Sequence, residues 1–220
     1  MNYIETIRNE IRKDFNEDTF QKGDFETYIS PSNQFRIDTT NFWSKEPNWD
    51  LTKVEVFDIK LDEKLFDFFV NESRFSYAWI TKSNIEYLVC AEDIFGGQTI
   101  IDLTNRQIEG YSPKEDGFIW TDFHLSPDGT KLATIGCYWA CPYVIKIFDF
   151  TNPLKLPLKE IIEIELLDND EIILGWLDNL TLQMKGVQRE RETEYLESGG
   201  RKINTISETK IERQIKINGA

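Results

Sequence analysis

Histidine and cysteine are scarce in this chain, with one His and three Cys in 220 residues. Any Ser-His-Asp device would have to use His124, yet no G-x-S-x-G elbow or other nucleophile signature accompanies it. An odd number of thiols (Cys90, Cys137 and Cys141) argues against a secreted disulfide framework. Long apolar runs are missing too, and nothing approaches the roughly 20 residues that a membrane helix needs. The opening stretch MNYIETIRNE carries charges where a secretory leader requires an apolar segment. A phosphate-cradling loop is also lacking, because Gly96-Gly97 has no companion Gly-Lys-Ser or G-x-G-x-x-G pattern and reads as a hairpin turn. Finally, positive charge is in deficit: 25 Lys and Arg face 39 Asp and Glu, for a net charge of −14. Such a chain repels phosphate backbones, so nucleic acid is not expected as a partner. Together these absences lead to the expectation of a cytoplasmic protein with no membrane segment and no cofactor.

What is present suits a packed β-rich domain. Hydrophobic residues make up 40% and aromatics 13% of the chain, enough for a core and above what helical bundles usually need. The length fits one domain over 1–220. Within 1–20, Ile4, Ile7, Ile11 and Phe15 recur at spacings of three and four, which predicts a helix over 2–15 with one apolar face. Beyond it the helical period disappears. Pro and Gly then punctuate short β-branched and aromatic runs at 54–59, 76–80, 87–91, 99–103, 131–135, 144–150 and 161–166, each of about strand length.

The runs repeat. Residues 118–136 bring an apolar strand into Ser126-Pro127-Asp128-Gly129 and then a second strand, and 144–150 follow with a strand that ends in Phe148-Asp149. Pro127 presets φ for the turn and Gly129 accepts positive φ, so the flanking strands pair as a hairpin. A weaker copy places Ser30-Pro31 and Phe57-Asp58 at the matching positions, and Trp43 lies as far beyond Ser30 as Trp139 lies beyond Ser126. A third unit, with Ile101-Asp102 at the strand end, sits between them. This pattern resembles WD40-type β-propeller repeats, most specifically over 118–150, although no blade ends in Trp-Asp or opens with Gly-His. The resemblance implies a mainly β fold, a small or partial propeller-like stack of antiparallel sheets with one N-terminal helix. A two-sheet β-sandwich is the alternative. The blade-like units are 28–70, 75–110 and 118–165, with a divergent last unit over 166–220. In a closed ring the last strand could complete the first blade.

The densest chemistry is at 136–143, Gly-Cys-Tyr-Trp-Ala-Cys-Pro-Tyr, which links two expected strands. Tyr138, Trp139 and Tyr143, with Trp43, form a candidate aromatic contact surface. The plainer alternative is that Trp139 fills the gap between blades. Cys137 and Cys141 with His124 are weak metal candidates, since zinc needs four donors and only Cys90 remains to complete a set. His124, between Phe123 and Leu125, fits a packing or hydrogen-bonding role in a strand. Glu92, Asp93, Glu115 and Asp116 are loop carboxylates, whereas Asp58, Asp102 and Asp149 at strand ends suit turn hydrogen bonds. The acid-rich stretch 160–178 reads as a charged face that guards a strand edge, and 189–197 as one side of a charged hairpin turning at Ser198-Gly199-Gly200.

Two functions compete. The first is a non-enzymatic protein-interaction module that presents aromatic loops and an acidic surface to another protein, with a basic partner the natural electrostatic match. The second is a hydrolase with a carboxylate pair at a propeller mouth. A metal or thiol sensor built on Cys137 and Cys141 is a third, and elemental analysis of protein purified without affinity metal decides it.

Overall fold

The structure is a computed structural model that describes residues 2–16, 18–46, 49–115, 117–139, 142–167, 170–195 and 200–217. Among the described residues one helix, α1 (Ile4–Asp14), precedes fifteen strands. Sheet 1 holds β1 (Phe20–Ile29), β2 (Phe35–Ser44), β3 (Leu51–Asp58) and β4 (Glu63–Val70). Sheet 2 holds β5 (Tyr77–Lys82), β6 (Ile85–Asp93), β7 (Gly97–Asp102) and β8 (Gln107–Tyr111). Sheet 3 holds β9 (Phe118–Leu125), β10 (Lys131–Tyr138), β11 (Tyr143–Asp149) and β12 (Glu160–Glu165). Sheet 4 has three strands, β13 (Ile172–Asp178), β14 (Thr181–Tyr195) and β15 (Arg201–Lys216). Every pairing is antiparallel between consecutive strands, so each sheet is an up-and-down meander. The first strands β5 and β13 each adjoin β9, as the leading strands of neighbouring propeller blades do. The molecule is thus a propeller-like stack of four sheets and not a two-sheet sandwich. The last strand stays in its own sheet, pairing with β14 and not with sheet 1.

The repeated turn is the same structure twice. Between β9 and β10, Gly129 donates its N–H to the Ser126 carbonyl at 2.8 Å, and Lys131 donates to the Ser126 hydroxyl at 2.9 Å. Between β1 and β2, Asn33 donates to the Ser30 carbonyl at 2.9 Å and Phe35 to the Ser30 hydroxyl at 3.2 Å. Gly129 and Asn33 both sit at left-handed φ, +69° and +60°, a region that Gly and Asn tolerate best. The strand-end aspartates cap the following turns: Asp58 accepts from the N–H of Leu61, Asp102 from Asn105 and Asp149 from Thr151.

Alternation within each strand feeds two cores. Leu88 and Cys90 of β6 face sheet 1, where they meet Ile37, Val54, Val56 and Phe68. Tyr87 and Val89 face sheet 3 and meet Trp120, Leu132 and Phe148. One layer on, Ala133, Ile145 and Ile147 pack against Ile173, Leu182 and Met184 of sheet 4. Ile7, Ile11 and Phe15 of α1 pack with Phe20, Phe42, Leu51 and Phe69 of sheet 1. Among the described residues no buried cluster joins sheet 4 to sheet 1. Among the described residues no helix is long and apolar enough to cross a membrane.

The two serine turns have a measurable role. Ser30→Ala and Ser126→Ala each leave the buried N–H of residue 35 or 131 without that acceptor, at a cost of about 1–2 kcal/mol. Urea unfolding of the two variants checks this; midpoints equal to that of the parent would remove the turns from the account.

Candidate binding surface

In sheets 1, 2 and 3 the connection between second and third strands brings an aromatic side chain to a common point. Trp139 follows β10 and adopts φ +35°, a left-handed conformation that a bulky residue holds only when its surroundings fix it. Its ring stacks on Phe95 of the β6–β7 turn, with centroids 5.9 Å apart and planes 2° from parallel. It also meets Trp49 of the β2–β3 connection edge-on at 5.8 Å and 82°. Trp139 and Trp49 nevertheless keep 48% and 51% exposure. A groove of about 150 Å³ continues from Trp49 and Phe95 across Ile7, Ile11, Phe20 and Leu51, with Glu10 beside it.

Asp93 builds the turn that carries Phe95. Its side chain is fully buried, and Oδ1 accepts the N–H of Phe95 at 2.6 Å and that of Gly97 at 3.2 Å. Gly96 supplies φ +91°, and its Cα packs so tightly on the backbone of Gly117 that a methyl group would collide there. Burial raises the Asp93 carboxyl above the usual aspartate range, against the pull of those two N–H donors. Glu72 is pushed up to about 7 by burial and by the charge of Asp93. Glu92, next in sequence, is buried and bound by Arg8 of α1 through Nε–Oε1 at 2.5 Å and Nη2–Oε2 at 2.8 Å. Glu92 and Asp93, expected on a loop, are thus the last two residues of β6, and both serve the scaffold. Glu115 is exposed, and Asp116 lies outside the described residues.

The other aromatics expected on the surface make different contacts, and Tyr138 and Trp43 are themselves exposed. The Tyr138 hydroxyl accepts from Lys146 Nζ at 2.5 Å, and its ring leans on Phe118. Tyr143 is half-buried against the core between sheets 3 and 4. Trp43 lies within β2 and covers Gly23. Cys137 is buried in β10, while Cys141 is outside the described residues. Residue counting matched Trp43 to Trp139, but the longer β2–β3 connection delivers Trp49 to that place. Phe95 and Trp49 carried one readable signal, in that both fall between strand runs beside Gly or Pro.

A polar cleft of about 550 Å³ opens between sheet 1, the 73–77 segment and β9. Glu26, Tyr28, Asn41, Arg74, Tyr77 and Asp122 line it. Glu26 accepts the hydroxyl of Tyr28. Asp122 Oδ2 lies 2.8 Å from His124 Nε2, a bond that holds the Asp122 carboxyl below its ordinary value. His124 thus has a hydrogen-bonding partner two residues away on its own strand.

No family model matches the chain. An uncharacterized protein of Acanthamoeba polyphaga mimivirus is 29% identical over 130 residues, which covers 58% of this chain and 51% of the relative. The chain therefore spans about half the length of that curated relative. Among solved structures, the Swd1 β-propeller domain of Myceliophteria thermophila superposes with a TM-score of 0.40 at 9% identity, covering 84% of this chain and 72% of that one. The periplasmic gluconolactonase of Pseudomonas aeruginosa gives 0.37 at 13% identity, covering 87% and 56%.

The raised Glu72 carboxyl fixes a sign. A carboxyl whose folded pKa exceeds its unfolded one binds its proton more tightly when folded, so stability is greatest below the unfolded value and falls as pH rises to about 7. Asp93 adds to the same trend. Glu72→Gln keeps the side chain neutral and should raise the melting temperature at pH 8 while changing little at pH 4.5. Parallel melting curves for variant and parent across that range would contradict the assignment.

Proposed function

We propose that the chain is a protein-interaction module whose anchor is the Trp139–Phe95–Trp49 cluster. The observation that carries this is Trp139 itself. It holds a disfavoured φ while two rings from two other sheets fix it, and half its surface still faces solvent. Half-exposed aromatics on a rigid base supply large contact area at small entropic cost, the pattern of interface hot spots. The groove beside them mixes apolar side chains with Asn71 and Glu10, and the chain carries −14 overall. An Arg or Lys side chain set over an indole face, with its charge near Glu10, uses both features. The partner is therefore a protein with a basic, Arg- or Lys-bearing contact segment, steered by the acidic field.

A hydrolase needs two carboxyl groups free to face one substrate. Glu26 and Asp122 do line one cleft, but Tyr28 engages the first and His124 the second.

A photo-crosslinking residue at position 10 in native-host extract identifies the partner, and titration of the purified pair follows. Trp139→Ala and Phe95→Ala should each weaken affinity about 30-fold or more, as loss of a hot-spot aromatic does. Association should slow as salt rises. Unaltered affinity in both folded variants would remove the aromatic cluster from the interface.

A further inference from the structure

Sheet 4 is one strand short of its neighbours, and its last two strands are the longest in the molecule. β13 pairs β14 only over residues 181–185, whereas β14 and β15 continue as a two-stranded ribbon to Tyr195 and Arg201. Among the described residues no strand pairs the far edge of β15, a row of sixteen residues. An edge of that length is a template for another strand. The ribbon also exposes apolar side chains: Tyr195 at 82%, Ile203 at 54% and Ile206 at 61%.

We propose that this arm joins two copies of the chain, their β15 strands pairing antiparallel about Ser207. Charge selects the occupant. Residues 187–220 carry six acids and seven bases, although the whole chain stands at −14. The arm is thus the place where two such acidic molecules meet with least repulsion. The sequence of β15 is complementary to itself in this register. Lys202 of one copy faces Glu212 of the other, Ile203 faces Ile211, and Thr205 faces Thr209. The one like-charge pair is Arg201 with Arg213, and Glu171 already neutralises Arg213 through two hydrogen bonds of 2.5 and 2.7 Å. The join is isologous and closes on itself, so it yields a dimer and not a fibre.

Sedimentation velocity of the full chain over a concentration series tests this. The expected result is a monomer–dimer equilibrium that tightens as salt rises, because screening relieves repulsion between acidic bodies. A basic partner at the aromatic end shows the opposite salt trend. Lys202→Glu and Glu212→Lys should each weaken dimerisation about tenfold, and the two together should restore it. Both positions are exposed, and Trp139→Ala leaves the dimer as it was. A monomer at every concentration overturns the proposal. So does a dimer indifferent to both charge reversals, one lost in Trp139→Ala, or capture of an unrelated strand by a chain that stays monomeric alone.

Discussion

A sheet with two apolar faces cannot be stable alone, and that constraint organises this molecule. β6 and β7 are buried along nearly their whole length, and β10 is buried up to its last residue. Alternate side chains of β6 serve the core with sheet 1 and the core with sheet 3. Sheets 2 and 3 are therefore hydrophobic on both sides and exist only as the middle of a stack. Sheets 1 and 4 end the stack, and each has one face to manage by other means. Sheet 1 packs part of its surface against α1, whereas sheet 4 puts charge on a long ribbon.

The proposed binding surface depends on the same stacking. Phe95, Trp49 and Trp139 come from three sheets and lie far apart in sequence. They meet only because the cores set the spacing of the turns that hold them. The buried Asp93 illustrates the coupling, since it fixes the backbone that presents Phe95 while raising the pKa of Glu72. The aromatic end and the charged arm are separate surfaces with opposite electrostatic logic. One sits in the field of a strongly acidic body, and the other carries nearly balanced charge.

Local patterns made much of the architecture legible in the sequence. Ile4, Ile7 and Ile11 marked the helix, Ser-Pro marked two equivalent turns, and the strand-end aspartates marked three caps. Each of those signals acts within a few residues, where spacing alone carries the physics. Trp139 stood out because its neighbours in sequence are aromatic as well. Its actual ring partners did not, because insertions change loop length without disturbing the strands. Counting from Ser30 therefore reached Trp43 in β2, where it covers Gly23, and missed Trp49. The edge of β15, unpaired among the described residues, was equally hidden, since a strand of mostly polar residues with an occasional Ile reads the same whether or not another lies beside it.

Leu88 of β6 is fully buried in the core that sheets 1 and 2 share, so its removal tests the mutual dependence of the sheets most directly. Truncating it to Ala deletes buried contact worth about 2–5 kcal/mol. Native-state hydrogen exchange on that variant should show protection falling together in β2, β3, β6 and β7. Loss confined to β6 and its immediate strand neighbours would mean that the sheets are stable independently, and the stack would no longer explain how the aromatic end is assembled.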